Sequence, residues 1–144
     1  MGRIHQVESL LVDTGILYAL ADRKDEWHAP SVRFASEFTG RLLVPSSVIP
    51  EACYLINRFL GLDAEIALVK AFINRELTIE HFTEQDLVRA ADLMKKYKDN
   101  NIGLVDASII AIAERLKISR ILTTDRRHFG AIRPQHCKEL EMLP

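Results

Sequence analysis

Four of the 20 acidic residues in this 144-residue chain stand in or directly after apolar segments: Asp13, Glu51, Asp106 and Asp125. An unpaired buried carboxylate is strongly destabilising, so each of these needs a cation, a hydrogen-bonding cap or a raised pKa. If the four converge, Mg²⁺ or Mn²⁺ is the natural counter-charge, because carboxylates and water complete the octahedron of such an ion. Sites of this kind typically serve phosphoryl chemistry, in which the metal activates a water and neutralises charge on the phosphate.

Local explanations for these acids stay open at single positions. Asp106 could cap a helix that begins there, and Asp13 and Asp125 could form Asx turns. A capping box does not explain Glu51, because it lies four residues after Ser47 and the box requires three. We favour one shared site over four independent local roles. Zinc is disfavoured, since the five His and two Cys form no pair at zinc-ligand spacing.

Short apolar runs alternate with helical patterns along the chain, and this alternation predicts how the acids are positioned. Parallel strands joined by helical crossovers predict an α/β fold, a three-layer α/β/α sandwich with a central, mainly parallel sheet. Sites in such sheets lie beyond the carboxyl ends of the strands, where Asp13 and Asp125 stand. The predicted strands are 9–12, 42–44, 77–81, 121–123 and 140–143. The predicted helices begin with 16–20 and 30–38. A third helix starts at a Ser46 or Ser47 cap and runs to Leu60, with Gly61 as its stop, and Asp63 caps a fourth. The last two are 87–97, capped by Thr83, and a buried helix at 105–116.

Composition limits the classes of protein that need to be considered. The length suits one domain, 1–144, and no apolar run is long enough to span a bilayer. The start of the chain lacks the layout of a secretory signal, and two cysteines are too few for a disulfide framework, so we expect a cytoplasmic protein. With 19 basic residues against 20 acidic ones, the formal net charge of −1 argues against a protein that coats nucleic acid by bulk electrostatics.

Three other acid-dependent enzyme or signalling classes share part of this pattern. Asp13-Thr14-Gly15 matches the aspartic-protease tripeptide, but that enzyme needs an all-β frame, and helical patterns dominate here. A dehalogenase-type phosphatase requires Asp-x-Asp after its first strand, and residue 15 is Gly. A response-regulator receiver requires an acidic pair at the same place, where this chain has Asp13 alone.

At the four acids the sequence resembles the PIN-domain ribonucleases, and most closely the VapC-type toxins of bacterial toxin–antitoxin pairs. The first block is Leu-Val-Asp-Thr-Gly-Ile-Leu-Tyr-Ala-Leu at 11–20, and the second is Val-Ile-Pro-Glu at 48–51. The most specific block, 103–114, carries Asp106, and the last, 121–129, carries Thr123, Asp125 and Phe129. The acids follow one another at intervals of 38, 55 and 19 residues, in the family's order, and the resemblance covers nearly the whole chain.

The resemblance implies a metal-dependent endoribonuclease. Asp13, Glu51, Asp106 and Asp125 would hold one or two Mg²⁺ or Mn²⁺ ions, and a metal-bound water would attack the RNA phosphodiester in line. Thr14 or Thr123 would orient the water or an acid by hydrogen bonding.

Several nearby residues have both a functional and an ordinary interpretation. Asp99 is either a peripheral fifth acid or part of a helix-terminating turn. Arg126, Arg127 and His128 form either a small phosphate-steering patch beside Asp125 or a solvated loop. A general-acid role is conceivable for His128, although a lone loop histidine is more often without function.

A toxin of this type also implies protein partners. A small antitoxin would pack on its helices and block the acid site, and the apolar helices 49–59 and 64–72 offer candidate faces. The same faces could equally be core or the seam of a homodimer, in which two sites would line one RNA-binding groove. The alternative to a toxin is a PIN-fold protein that binds or processes RNA.

Overall fold

The computed structural model describes residues 7–144 and confirms the predicted α/β architecture. Its five strands form one sheet in the order β3-β2-β1-β4-β5, with every neighbouring pair parallel. The strands are β1 (Ser9–Val12), β2 (Arg41–Pro45), β3 (Thr78–Glu80), β4 (Arg120–Leu122) and β5 (Glu141–Leu143). The helices are α1 (Thr14–Ala21), α2 (His28–Glu37), α3 (Val48–Leu60), α4 (Leu62–Ile73), α5 (Glu84–Lys96), α6 (Leu104–Leu116) and α7 (Arg126–Ala131), with a short 3₁₀ helix at Lys98–Asn100.

After a polar first residue, the central strands are continuous apolar runs, because both faces of the sheet are covered. Leu10, Leu11 and Val12 of β1 have no solvent exposure. Leu11 pairs with Leu43 of β2 on one side and with Ile121 of β4 on the other. The helices fall into two packed groups, α1 to α4 and α5 with α6, and both groups contact β2. The interior therefore consists of continuous apolar runs, which is typical of parallel sheets.

The helix ends test the capping and stop residues that the sequence predicts. Thr83 caps α5 through a capping box in which its hydroxyl accepts from the Asp86 amide and the Asp86 side chain accepts from the Thr83 amide. Gly61 ends α3 with a φ of +94°, a conformation that favours glycine. The prediction that Asp63 caps the next helix is wrong, because Gly61 is itself the N-cap of α4 and Asp63 lies in the first turn.

The prediction of a serine cap for α3 is wrong at the level of the side chain. Ser47 stands at the N-cap position, but its backbone is already helical, with φ −65° and ψ −24°. Its hydroxyl hydrogen-bonds with that of Ser108 on α6 at 2.8 Å. The serine therefore ties α3 to α6 rather than capping its own helix.

Helix α6 is buried as predicted, from Ala107 to Ala113. Two arginine clusters hold it against α5. Arg89 binds both carboxylate oxygens of Glu114, at 2.7 and 3.1 Å, and Arg115 binds Asp86 with both oxygens at 3.1 Å. These contacts fix the position of the helix whose first turn carries Asp106. Within residues 7–144 every helix is too short or too polar to cross a lipid bilayer.

Candidate active site

Asp13 and Asp125 are brought together by the adjacent central strands β1 and β4. The Asp13 amide donates to the Leu122 carbonyl at 3.0 Å, which continues the sheet one residue beyond β1. The fully buried Thr123 joins the two acids, because its hydroxyl donates to Asp13 Oδ2 at 3.0 Å and accepts from the Asp125 amide at 2.9 Å. The predicted orienting role of Thr123 therefore has a direct structural basis in the hydrogen bond to Asp13.

The Asp13 side chain is both a helix cap and a buried acid. Its Oδ1 accepts from the Thr14 amide at 2.7 Å at the start of α1, and the residue is only 6% exposed. Burial raises the pKa of Asp13, and the negative charges of Asp125 and Glu51 add to this, while hydrogen bonds from Thr14 and Thr123 oppose it. Asp13 thus has a local role, as the N-cap of α1 rather than in an Asx turn, because its oxygen accepts from the amide of the next residue and not from the one after it. This role coexists with a place in the acid cluster.

Asp106 is the most perturbed acid of the group. Burial raises its pKa to about 6, the charges of Asp13, Asp125 and Glu51 contribute, and His128 opposes the shift. The alternative that Asp106 caps its own helix is wrong, because α6 begins at Leu104 after the N-cap Gly103. Its carboxylate is therefore held near other carboxylates without a capping role, which is typical of a functional acid.

Asp125 caps the short helix α7 and is held there by His128. Its Oδ1 accepts from the His128 amide at 3.1 Å, and its Oδ2 lies 2.7 Å from His128 Nδ1. The same ring nitrogen lies 3.4 Å from Asp106 Oδ2. The sequence alone permits either a functional or a solvated role for His128. The signal that could have placed it is its position three residues after an N-cap aspartate.

Glu51 corrects one premise of the sequence analysis, because it is exposed rather than buried. It lies in the first turn of α3, where Val48, Ala52 and Ile56 face the core. Glu51 stands at the flank of this buried face, because it follows Val48 by three residues but lies about 100° around the helix from Ala52. It nevertheless lines the same open cleft of about 520 Å³ as Asp13, Asp106, Asp125 and His128. The structure thus brings all four predicted acids to one cleft, with Glu51 at its solvent-exposed edge.

Thr14 and Gly15 line the same cleft and shape its floor. Thr14 is 5% exposed, and its hydroxyl oxygen is buried without a hydrogen-bond partner in residues 7–144. A β-carbon at Gly15 would lie 2.3 Å from the Thr124 hydroxyl oxygen, so only glycine lets α1 approach the loop after β4 this closely.

The remaining predicted residues lie around the cleft or away from it. The Arg126 guanidinium stands 5.5 Å over the Trp27 ring and donates to the backbone oxygen of Pro144 at 2.8 Å. Arg127 is exposed on the same turn of α7. Asp99 is exposed on the 3₁₀ helix, and the described residues that line the cleft do not include it.

The donor atoms of the cleft fit a divalent cation. Single ligand atoms of Asp106, Asp125 and His128 all lie within 4.8 Å of one another. The pKa values of Asp13 and Asp106 are raised, first by burial and then by the neighbouring carboxylates, so a bound cation would favour their ionised forms. Carboxylate-rich donor sets of this kind suit Mg²⁺ and Mn²⁺.

Comparison with known proteins agrees with this geometry. The PIN domain family matches residues 10–133. Ribonuclease VapC26 of Mycobacterium tuberculosis (strain ATCC 25618 / H37Rv) is 32% identical over 125 residues, which are 87% of this chain and 93% of that protein.

Solved structures share the fold at lower identity. Mycobacterium tuberculosis VapC20, described as a sarcin–ricin loop cleaving toxin, has a TM-score of 0.78 at 21% identity, over 85% of this chain and 94% of that one. DNA-bound VapBC from Salmonella typhimurium has a TM-score of 0.67 at 18% identity, over 95% and 97% of the two chains. FitAcB from Neisseria gonorrhoeae has a TM-score of 0.66 at 15% identity, over 94% and 96%.

Proposed function

Because the chain belongs to the PIN-domain family, with a VapC ribonuclease related to it over most of its length, we propose that it is a metal-dependent endoribonuclease. The observation that carries the proposal is the convergence of Asp13, Asp106 and Asp125 in one cleft, with the pKa of Asp106 raised to about 6. Acids so strongly perturbed by burial and by one another are typical of sites that bind a cation and perform chemistry.

Asp13, Asp106 and Asp125 would hold Mg²⁺ or Mn²⁺, with Glu51 at the exposed edge of the cleft. When bound, the ion supplies a Lewis acid that activates water and neutralises charge on the phosphate under attack. Thr123 keeps Asp13 in place by a hydrogen bond to Oδ2. Thr14 lines the cleft, but its hydroxyl oxygen is buried, so the predicted role in orienting a water or a phosphate oxygen would require its side chain to turn towards the cleft. The chain's own contribution is therefore a fixed set of oxygen donors around a place for the scissile phosphate.

The substrate we propose is RNA, bound locally at the cleft. The near-neutral charge of the chain provides no general attraction for a polyanion. We infer that Arg127, exposed on α7 two residues after Asp125, would contact a phosphate at the edge of the site. Arg126 is less suited to this role, because Trp27 and the Pro144 backbone oxygen already occupy its guanidinium.

The direct test of the nuclease proposal is RNA cleavage under controlled metal supply. Wild type should cleave RNA with Mg²⁺ or Mn²⁺ and stop when a chelator is added. Asp13→Asn and Asp106→Asn should each abolish cleavage while keeping the circular dichroism of the wild type. Asp92→Asn, a change at an exposed acid of α5, is the matched control and should cleave normally. Cleavage that survives chelator or both substitutions would overturn the proposal.

We further propose that the protein is the toxin of a toxin–antitoxin pair and that an antitoxin segment covers apolar surface on the α1–α4 side. Several neighbours in fold are toxin–antitoxin complexes. A groove of about 480 Å³ lies between α1, α2 and α4 and is lined by Leu17, Leu20, Ala35, Leu68 and Leu77 among others. Beyond it, α3 and α4 expose Tyr54, Phe59, Leu62 and Ile73, each at least 60% accessible. Large exposed apolar side chains on two helices packed together are typical of a protein interface.

The toxin role has its own test. Expression should arrest growth, and co-expression of a short neighbouring open reading frame should relieve the arrest. Growth that is unaffected by a cleavage-competent protein would favour the alternative, a PIN-fold protein that processes RNA without acting as a toxin. A binding protein without catalysis would instead leave RNA intact and bound.

A homodimer is the third element of the proposal, because two clefts facing one groove would help a near-neutral chain to hold RNA. The measurement is sedimentation of the full chain at the concentrations used for cleavage. A fully active monomer would remove this element and leave the nuclease proposal intact.

A further inference from the structure

The cleft contains a nitrogen donor that the carboxylate site does not explain. The His128 ring turns towards two of the proposed metal ligands, with Nδ1 2.7 Å from Asp125 Oδ2 and 3.4 Å from Asp106 Oδ2. The backbone helps to set this position, since the His128 amide donates to Asp125 Oδ1 in the cap of α7. The histidine is thus anchored in the cleft on the same short turn as one of the acids.

The separations match those of ligands around one ion. An octahedral dication such as Mg²⁺ lies about 2.1 Å from its ligands, which places neighbouring ligand atoms about 3.0 Å apart. The two distances from His128 Nδ1 bracket this value. Because the ligand atoms of Asp106, Asp125 and His128 all lie within 4.8 Å of one another, they can form one face of a single coordination shell.

We propose that His128 is a ligand of the cleft cation through Nδ1, which makes the site selective for Mn²⁺ over Mg²⁺. This inference rests on the proposed function, because both require a cation bound by Asp106 and Asp125. A neutral imidazole with its proton on Nε2 has a lone pair on Nδ1 to donate. Imidazole nitrogen is a good ligand for first-row transition metals, whereas Mg²⁺ keeps oxygen ligands and several waters.

The competing interpretation is that His128 only orients Asp125 by a hydrogen bond. The substitution His128→Asn separates the two interpretations. The asparagine amide can replace Nδ1–H as a donor to Asp125, but its nitrogen has no lone pair with which to ligate a metal. His81→Asn is the matched control, because His81 is exposed and lies beyond β3, outside the cleft.

The test is pulsed electron paramagnetic resonance of the full chain loaded with Mn²⁺, together with equilibrium titrations of Mn²⁺ and Mg²⁺. We expect nitrogen-14 modulation of the Mn²⁺ signal in wild type and His81→Asn, and its loss in His128→Asn. The Mn²⁺ Kd of His128→Asn should rise at least about tenfold, the lower end of the losses typical even of residues that only support a ligand. The Mg²⁺ Kd should change by less than about threefold, because Mg²⁺ does not use the nitrogen.

Two results would overturn the inference. One is bound Mn²⁺ without nitrogen modulation in wild type. This result does not depend on whether the His128→Asn variant folds. The other is unchanged Mn²⁺ affinity and modulation in a folded His128→Asn. RNA cleavage with either result would leave the nuclease proposal standing, whereas a wild type that binds neither ion would overturn both.

Discussion

At the scale of single residues, Asp106 illustrates how the acid cleft opposes stability. Its pKa of about 6 exceeds the value near 4 of an aspartate in an unfolded chain, so the folded state binds this proton more tightly. The free energy of unfolding therefore falls as pH rises from about 4 to about 6, and it stays lowered above pH 6. The free-energy cost of ionising Asp106 in the folded protein is therefore a consequence of placing a proposed metal ligand in a buried position near other acids.

Asp106→Asn should consequently stabilise the metal-free protein while abolishing cleavage. At pH 8, in chelator, we expect its melting temperature to exceed that of wild type by several degrees, since 1 kcal/mol corresponds to roughly 3–4 °C at this size. The difference should shrink as pH falls towards 4 and vanish below about pH 3, where Asp106 of the wild type is protonated in both the folded and the unfolded state. Thermal melts followed by circular dichroism measure this. A variant that melts below wild type at pH 8 would contradict the electrostatic explanation.

Thr123 is the residue through which the two strand-end acids are held together. Thr123→Val keeps the shape of the side chain but leaves Asp13 Oδ2 and the Asp125 amide without their shared partner. We expect a loss of about 1–3 kcal/mol in stability and at least about a tenfold loss in metal affinity. Chemical denaturation and metal titration measure the two effects. Thr123→Ser, which retains the hydroxyl, should preserve most of both, and equal losses in the two variants would argue against the hydrogen-bond explanation.

At the scale of elements, the site depends on how closely α1 approaches the loop after β4. Gly15→Ala would place a methyl group against the Thr124 hydroxyl, at 2.3 Å before any adjustment. We expect this clash to lower the free energy of unfolding by about 1–2 kcal/mol. Metal binding should weaken as well, because Gly15 lies two residues after Asp13 and Thr124 directly precedes Asp125. Denaturation and metal titration are again the measurements.

The pair Gly15→Ala and Thr124→Ala provides the control for that clash. With the hydroxyl gone, the nearest remaining Thr124 atom is Cβ at 3.4 Å, and alanine also favours the helix more than glycine does. The double variant should therefore recover stability relative to Gly15→Ala alone. Additive losses in the double-mutant cycle would show that the clash is not the cause.

Much of the architecture and the location of the acids could be predicted from sequence, because apolar runs and caps act locally. The five strands, the cap at Thr83 and the stop at Gly61 follow from neighbouring residues alone. Helix α7 escaped prediction, since six residues with two arginines show no helical periodicity and depend on the Asp125 cap. The exposure of Glu51 was misjudged because only the packed structure shows which face of α3 meets the core.

At the scale of the whole molecule, the even charge count predicts how RNA is held. With a net charge of −1, few phosphates can be neutralised, so the dependence of RNA affinity on salt should be shallow. We expect the slope of log Kd against log salt to correspond to fewer than about four phosphate contacts. Fluorescence anisotropy with the non-cleaving Asp13→Asn variant measures this slope. A steep slope would indicate a basic RNA-binding surface, which the net charge does not predict.

Metal-free protein should bind RNA weakly in the same assay, because the cleft then presents several negative charges to the phosphate. Addition of Mn²⁺ to the wild type, with a non-hydrolysable RNA analogue, should tighten binding. Equal affinity with and without the ion would mean that RNA is recognised away from the acids.

The strand order also determines when the site can form during translation. β1 lies at the centre of the sheet and near the start of the chain, whereas its neighbour β4 lies close to the C-terminal end of the chain. The bond between Thr123 and Asp13 joins residues 110 positions apart. A nascent chain can pair β1 with β2, and β2 with β3, long before β4 is translated, but at that stage Thr123 and Asp125 have not yet been made. The cleft is therefore completed only late in synthesis, and a chain abandoned by the ribosome before β4 carries no assembled acid cluster.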